Sequence, residues 1–489
     1  MFTGSESNLS QNGVIGLFPP RRAPGFVRGR LAVAEKNPRD DLAQTGVMTA
    51  AKRAPGGRES GACATRERVV WGRRKSLLAL SALTLMLGAC HDARQARLSG
   101  EAGTVSAFLR DYWTRPLMAQ GPAPAGFSAL ESSLAPASCG ACHASQYRDW
   151  KTSRHAHAFG PGLLGQMQGL QARDHAGHQN CLRCHAPLAE QEQSLSDALW
   201  IRNEAPADHP IRGVSWHDGL SCAACHARGN VRYGPPAPAL DLDWSRVSPP
   251  HAGWVASTAF RRSQFCAACH QFPNSAPKLD GKPLENTDVE WQTSPFARRG
   301  VSCQACHMPD GKHLWRGIHD LAMVRSGLRF DIRAPAQAND QIRAGLTVIS
   351  AHVGHDFPTY VTPRVLVTLT QLDARGRAIR STLQQGVIAR DVSLDLQRQR
   401  FDTRIPPGGT FAMQYRARRS PQARWLRYTV TVDPDYFYAR LDRSWLRDPQ
   451  FGAGRGALRA ALRHAENASY DLLNFKLPLQ SPPSSAARR

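Results

Sequence analysis

The sequence is short of apolar runs and of acidic residues. Its apolar run from Leu77 to Ala89 has 13 residues, whereas a helix that crosses a bilayer needs about 20. The chain of 489 residues holds only 39 Asp and Glu against 62 Lys and Arg, which leaves a net charge of +23. No nucleic-acid-binding motif accompanies this positive charge, so we expect no nucleic-acid partner.

Few cysteines lie outside close pairs. Ten of the 12 cysteines lie in the spacing CxxCH, which occurs five times although chance would produce ~0.01 copies in a chain of this composition. A disulfide framework suits a short secreted chain rather than this arrangement. The five motifs comprise Cys139, Cys142 and His143; Cys181, Cys184 and His185; Cys222, Cys225 and His226; Cys266, Cys269 and His270; and Cys303, Cys306 and His307.

Three kinds of site use such cysteine pairs, and the histidine distinguishes them. A redox-active dithiol needs one CxxC and gives no reason for a histidine after it. Structural zinc takes Cys and His ligands in fours and leaves the adjacent histidine unexplained. In c-type haem attachment, the two cysteines form thioethers to the vinyl groups and the next histidine binds the iron. The sequence therefore predicts five covalently bound haem c groups, with the ten cysteines as cofactor-binding residues and the five histidines as metal ligands.

Covalent haem attachment takes place outside the cytoplasm, and the sequence contains an export signal. Arg73, Arg74 and Lys75 precede the apolar run, and small residues lead to Cys90, which indicates a signal peptide at residues 69–89. The end of this segment resembles a bacterial lipobox and predicts a lipid on Cys90; ordinary cleavage beside an incidental cysteine is the alternative. We expect an exported, periplasmic lipoprotein that is anchored to the inner or outer membrane.

The segments on either side of this signal have no clear fold. Residues 1–68 are rich in Gly, Pro, Arg and Ser, and are interpreted as a doubtful, disordered upstream extension. A true start at Met48 would remove residues 1–47, and one at Val69 or Val70 would remove the whole extension. Residues 90–135 are interpreted as a lipid-anchored N-terminal linker.

The five motifs define a haem-binding domain at residues 136–325. They follow one another at intervals of 37 to 44 residues, which is too short for each haem to have its own apolar pocket. We therefore expect closely packed haems that form much of the core. The chain between them favours short helices and irregular segments, with many Gly and Pro residues and no sustained strand alternation.

Downstream of the motifs the pattern changes, which predicts a multidomain protein. Residues 340–440 alternate between apolar and polar positions and predict a small antiparallel, immunoglobulin-like β-sandwich. Residues 441–489 are interpreted as a C-terminal tail that is helical from Arg459 to Leu473 and disordered at its end. The alternation is clearest at Val365, Val367 and Leu369, at Phe411, Met413 and Tyr415, and at Leu426, Tyr428, Val430 and Val432.

Longer strings in the haem-binding region resemble a known family. "CGACHASQYRDWKTSRHAHA", "FCAACHQF" and "EWQTSPFARRGVSCQACHMP" are similar to haem segments of the multihaem c-type cytochromes of the cytochrome c-554 and hydroxylamine oxidoreductase group. "GHDFPTYVTP" is similar to a motif that begins the β-sandwich in many of these proteins. The resemblance runs from about Tyr112 to Pro363, and it implies a haem-packed fold and a redox function. The count of five motifs departs from the best-known members.

The sixth position of each iron needs an occupant, and the chain is rich in histidine. Thirteen of the 18 histidines remain once the five motif histidines are set aside. Four candidates lie in strings that resemble ligand positions of the family, and a fifth lies in the string PPHAG. Which candidate serves which haem is left open. The predicted distal ligands are His155, His251, His313, His319 and His355.

A set of haems with two histidine ligands favours electron transfer. Iron with an imidazole on each side has no place for a substrate. We therefore expect an electron carrier without catalytic residues, whose partners are other cytochromes or a membrane quinol or oxidoreductase complex. One alternative is a haem enzyme that reduces or oxidises a small nitrogen or sulfur compound at one five-coordinate haem. Another is a partner-binding module formed by the β-sandwich.

Overall fold

The computed structural model describes residues 104–114, 117–170, 175–199, 211–236 and 250–480. All of these residues lie in one compact unit. The predicted upstream extension, the signal peptide and Cys90 lie outside the described residues, as do the last nine residues of the tail. Within the described ranges, no helix is long and apolar enough to cross a membrane.

The part of the chain that carries the motifs is built mainly from short helices. Serine caps start several of them; Ser221, for example, accepts a hydrogen bond from Ala224 N at the start of the third motif helix. The helices are α1 (104–112), α2 (Ala129–Ser132), α3 (Pro136–Gly140), α4 (Ala144–Lys151), α5 (Pro161–Gly169), α6 (His175–His185), α7 (Ala189–Leu199), α8 (Cys222–His226), α9 (Ser263–His270), α10 (Thr287–Gln292), α11 (Pro295–Arg298), α12 (Cys303–His307) and α13 (Leu321–Gly327). Five strands of two to four residues accompany them: β1 (Ala227–Arg228), β2 (Val231–Gly234), β3 (Val255–Ala256), β4 (Lys278–Leu279) and β5 (Lys282–Pro283).

The downstream part is built mainly from antiparallel sheets. Its first strand begins at Leu328, earlier than the predicted boundary at residue 340. The strands are β6 (Leu328–Ala338), β7 (Gln341–Ser350), β8 (Arg364–Leu372), β9 (Gln384–Ile388), β10 (Arg390–Val392), β11 (Gln399–Asp402), β12 (Thr410–Arg418), β13 (Trp425–Asp433) and β14 (Tyr470–Pro478). One sheet has the order β12-β7-β6, a second has the order β14-β13-β8-β9, and β10 pairs with β11.

The two larger sheets contribute to one apolar cluster. Leu346 on β7, Leu369 on β8 and Tyr428 on β13 all belong to it and are buried. The Tyr428 hydroxyl donates a hydrogen bond to Arg333 O on β6 at 2.9 Å, which links the two sheets. The apolar positions of the predicted alternation along β8, β12 and β13 therefore lie on the buried face, as expected of half-buried strands. The immunoglobulin-like topology stays a prediction.

The tail differs from its prediction. Helix α14 (Tyr436–Trp445) and helix α15 (Arg455–Asn467) are followed by strand β14, so the predicted helix from Arg459 to Leu473 is wrong beyond Asn467. The cause is visible in the sequence: Leu473, Phe475 and Leu477 alternate with polar or exposed residues, and β14 pairs with β13 along its length.

Helix α15 also connects the tail to the haem-binding part, because α15 packs against α5. A Cβ atom on Gly165 would lie 2.7 Å from Leu458 Cγ. Gly454 and Gly165 approach one another through their backbones, and Gly169 faces the ring of Phe451. Only glycine permits so close an approach, so the glycines of α5 form the surface on which the tail sits.

Truncation of the shared apolar cluster should destabilise the sheets. We expect Leu369→Ala to lower the free energy of unfolding by about 2–5 kcal/mol, because Leu369 is fully buried and would leave a cavity. Leu383→Ala is the control, since Leu383 is 50% exposed and its truncation should cost less than about 0.5 kcal/mol. Urea unfolding followed by far-UV circular dichroism measures both, and equal losses would contradict the assignment of the cluster.

Candidate haem sites

Four CxxCH motifs lie on helices; in the first motif Cys139 lies on α3, whereas Cys142 and His143 lie between α3 and α4. Four of the five motifs are arranged in two pairs. The Cys139 and Cys222 thiols share a hydrogen bond, as do the Cys266 and Cys303 thiols. The hydrogen bond from Cys222 lowers the pKa of Cys139 to about 7, and the hydrogen bond from Cys266 does the same for Cys303. The first motif is therefore beside the third, and the fourth is beside the fifth.

Three motif histidines face a predicted distal histidine. The ring centroids are 6.3 Å apart for His270 and His155, and 6.2 Å apart for His226 and His313. They are 6.4 Å apart for His307 and His355, whose rings are within 13° of parallel. A metal–imidazole bond is about 2 Å long and the ring centre lies about 1.1 Å further, so two rings that share one metal stand about 6.3 Å apart. The spacing of all three pairs fits one iron between the rings.

Hydrogen bonds fix the orientation of most of these rings. When Nδ1–H donates to a backbone carbonyl, Nε2 is left as the bare nitrogen that binds a metal, and the ring cannot turn freely. Six histidines of the predicted set have this contact. They are His185 to Ala158 O at 2.6 Å, His226 to Tyr233 O at 2.8 Å, His251 to Gly253 O at 2.8 Å, His307 to Arg316 O at 2.7 Å, His313 to Gly311 O at 2.9 Å and His355 to Asp356 O at 2.9 Å.

Burial favours the neutral form of most of the facing imidazoles. It lowers the pKa of His155 to about 3, with a smaller contribution from the charge of His270. Burial also lowers the pKa of His226 and of His307 to about 4, against the opposing effect of their hydrogen bonds to carbonyls. The pKa of His355 is lowered for the same reason. Neutral imidazole is the form that binds iron, so these sites suit ligation at physiological pH.

Contacts distant in sequence hold the ring of His155 in place. His155 O accepts a hydrogen bond from Leu220 N at 2.9 Å, and Leu220 O accepts one from Trp150 Nε1 at 2.9 Å. Gly219, with a φ of +56°, lies directly against this turn, where a Cβ atom would be 2.5 Å from His155 O. Gly219 and Leu220, just before the third motif, therefore support His155, whose ring faces His270 of the fourth motif.

Two predicted distal ligands are placed differently from the other three. No described ring faces His251, but its backbone N donates to Glu131 Oε1 at 2.6 Å and its Nδ1 contact leaves Nε2 available. His319 Nε2 lies 3.0 Å from both carboxylate oxygens of Asp435, so the nitrogen that would bind iron is engaged. Sequence reasoning had no signal for this contact. Ligation by His251 and by His319 stays a prediction.

Two motif histidines have no such partner in the described part of the chain. Among the described side chains, no second imidazole faces His143 or His185 at the spacing of the three pairs. Tyr360 and Tyr438 lie near the second motif instead. Burial raises the pKa of both phenols, with added effects from Cys184 on Tyr360 and from Cys181 on Tyr438.

The residues present fit haem c better than a bare metal ion. Each motif offers two thiols and one imidazole, and three motifs have a second imidazole at the spacing that one iron requires. In the described ranges, no group of three or more His, Cys, Asp or Glu is arranged to hold a metal ion directly. When bound, haem supplies an iron that accepts and releases one electron; the protein supplies attachment, axial ligands and orientation.

Comparison with known proteins agrees with this geometry. Residues 138–227 match the model of the family described as cytochrome c554 and c-prime. The fold is similar to that of a penta-heme cytochrome c552 from Thermochromatium tepidum, with a TM-score of 0.51 and 20% identity over 72% of this chain and 100% of that chain. No curated protein sequence matches significantly. The predicted resemblance to multihaem c-type cytochromes is confirmed, and these findings support covalent haem c as the cofactor and electron transfer as the general role.

Addition of a methyl group at Gly219 should disturb the His155 site. We expect Gly219→Ala to change the low-spin electron paramagnetic resonance (EPR) signal of one haem and to lower stability, because the new Cβ would meet the backbone oxygens of His155 and Ala156. Gly229→Ala is the control: Gly229 has a φ of +58° but nothing within 4 Å, so it shares the backbone strain without the collision. Identical spectra for the two variants would contradict the packing described for Gly219.

Proposed function

We propose that this protein is a periplasmic, lipid-anchored multihaem cytochrome c that relays electrons between redox partners through five closely packed haems, most of them with two histidine ligands. The observation that carries the proposal is the spacing of 6.2–6.4 Å in three pairs of imidazoles. Iron bound on both sides stays low-spin and has no position for a substrate. Such sites are suited to electron transfer rather than to chemistry.

Proximity of the motifs supports a relay rather than isolated haems. The thiol contacts place the first motif next to the third and the fourth next to the fifth. The ring of His155, which faces the fourth motif histidine, lies 4.5 Å from the ring of Trp315, and Trp315 lies 5.0 Å from His313, which faces the third. Electrons could therefore pass from the first motif to the third, and onward to the fourth and fifth.

The two remaining distal positions belong to the same proposal. His251 is the candidate for the haem of the first motif. Its backbone N–H donates to the Glu131 carboxylate, and the backbone oxygen of Glu131 accepts a hydrogen bond from Arg232. The charge of Arg232 in turn contributes to the lowered pKa of Cys139 in the first motif. His319 is the candidate for the second motif, and it would have to leave Asp435 to bind iron. The partners proposed from the sequence are other cytochromes or a membrane quinol or oxidoreductase complex, reached from a membrane surface through a lipid on Cys90.

A haem enzyme is the second candidate, and one observation favours it. The second motif histidine, His185, has two tyrosines near its cysteines and no facing imidazole among the described side chains. An open iron there could reduce or oxidise a small nitrogen or sulfur compound. A high-spin ferric signal in the unmodified protein that shifts with nitrite, hydroxylamine or cyanide would make this the leading function.

Removal of one distal histidine should open one iron. We expect His155→Gly, His313→Gly and His355→Gly each to convert one haem from low-spin to high-spin, because each removes one ring of a facing pair. Low-temperature EPR of the oxidised protein measures the change, and pyridine haemochrome analysis counts the haems.

The control for these variants is His464→Gln, because His464 is exposed on α15 and belongs to no motif and to none of the three facing pairs. Its spectrum should match that of the unmodified protein. A high-spin signal that is absent from all three glycine variants would reject the paired-histidine relay.

A further inference from the structure

Arg404 is a buried cation at the junction between the haem-binding part and the sheets. Its guanidinium contacts three carboxylates: Nη1 to Glu290 at 2.7 Å, Nε to Asp402 at 2.8 Å and Nη2 to Asp356 at 3.3 Å. The Arg404 side chain is 1% exposed and that of Glu290 is 5% exposed. A guanidinium can serve several carboxylates at once because its donors form a planar fork.

The three carboxylates come from separate parts of the chain. Glu290 lies on α10, which follows the fourth motif helix. Asp402 ends strand β11, and Asp356 follows His355, the residue that faces His307 across 6.4 Å. Arg404 therefore connects the haem-binding part to the segment that carries His355.

That segment, residues 355–359, is held from two further directions. Phe357 forms two backbone hydrogen bonds with Ile405, each 2.8 Å long, so the residue after Arg404 pairs with the segment directly. The Thr359 hydroxyl donates to Glu290 Oε2 at 3.0 Å and lies 2.6 Å from the Thr287 hydroxyl. Glu290 thus binds both Arg404 and the far end of the segment.

We propose that Arg404 is the positioning residue for His355, and that its guanidinium holds the segment 355–359 against α10 at the distance at which His355 can bind the iron of the fifth motif. This inference rests on the proposed function, in which His355 is a distal ligand. It assigns to Arg404 a role in haem ligation that it performs without touching haem or iron. The geometry gives Arg404 this role because the position of the His355 ring must be accurate to a fraction of an ångström, whereas residues 355–359 have no regular secondary structure.

A purely structural role for Arg404 makes a different prediction. A buried cation that only stabilised the fold would change the unfolding midpoint and leave the spin state of the native protein unchanged. A positioning residue changes the spin state of one haem in protein that is still folded. Spectroscopy on the intact, haem-loaded chain separates the two.

The test is Arg404→Met, which removes the charge and the donors at similar length. We expect a high-spin ferric EPR signal from at most one haem per chain, and we expect added imidazole to return that haem to the low-spin state. Arg404→Lys should give a smaller high-spin fraction, because a lysine keeps the charge but cannot reach three carboxylates in one plane. A fully low-spin Arg404→Met protein would overturn the proposal.

Arg390→Met is the matched control. Arg390 is also fully buried, but its guanidinium binds the carbonyls of Leu279, Lys282 and Pro283 rather than residues 355–359. We expect it to lower stability and to keep every low-spin signal. A high-spin signal of the same size in Arg390→Met would show a general effect of losing a buried arginine and would overturn the proposal.

Two further variants complete the test: one serves if Arg404→Met does not fold, and the other identifies the haem whose spin state changes. Asp356→Asn weakens one contact of Arg404 at constant size, and it should give the same signal in milder form even if Arg404→Met does not load haem. The double variant Arg404→Met/His355→Gly should show no more high-spin iron than His355→Gly alone, because both act on one ligand. If His355→Gly itself stays low-spin, the ligand assignment in the proposed function fails; if only Arg404→Met stays low-spin, the positioning role alone fails.

Discussion

The distance that one iron imposes on two imidazoles is the constraint on which the rest of this structure depends. The rings must stand on opposite sides of the metal, about 6.3 Å between centres, and neighbouring residues on one short helix cannot satisfy this. Three motif helices therefore receive their facing rings from other segments of the chain. Helix α9 receives His155 from the turn after α4, α8 receives His313 from the segment after α12, and α12 receives His355 from the segment before β8. Because each of these rings comes from a distant segment, the arrangement requires short helices with long connections between them.

What could be predicted from the sequence follows from the range of each interaction. Attachment of haem is local, because the two thiols and the proximal imidazole lie within five residues, so the motifs alone were sufficient. Alternation along β8, β12 and β13 is local too, and its buried face was correct. A distal ligand is recognised only when the fold brings it to a haem, and no spacing in the sequence contains that information. His319 makes the point, since its Nε2 lies at Asp435, a residue that no motif singles out.

Strand β14 was missed for a related reason. Its alternation is interrupted where Leu472 and Leu473 are adjacent, opposite an irregularity in the pairing between Val430 and Thr431 of β13. A bulge of this kind places two consecutive apolar residues in one strand and disguises the period of two. The preceding run from Arg455 is strongly helical, so the pattern suggested one longer helix. Pairing with β13 makes this segment a strand, and such pairing is again a contact between residues distant in sequence.

The junction between the two parts of the molecule combines buried charges with an apolar cluster, in which Leu279 and Leu284 belong with Val392 and Leu396. Arg390 and Arg404, both on or beside the β10–β11 hairpin, are buried and bind carbonyl groups or carboxylates of the haem-binding part. Apolar surfaces attract without a preferred direction, so their burial alone does not fix the orientation of one side chain. Hydrogen bonds to a planar guanidinium lose strength when either partner moves, and a buried carboxylate left without its cation is costly. A junction that must hold one imidazole on one iron therefore needs directional, mutually dependent charges in addition to apolar area.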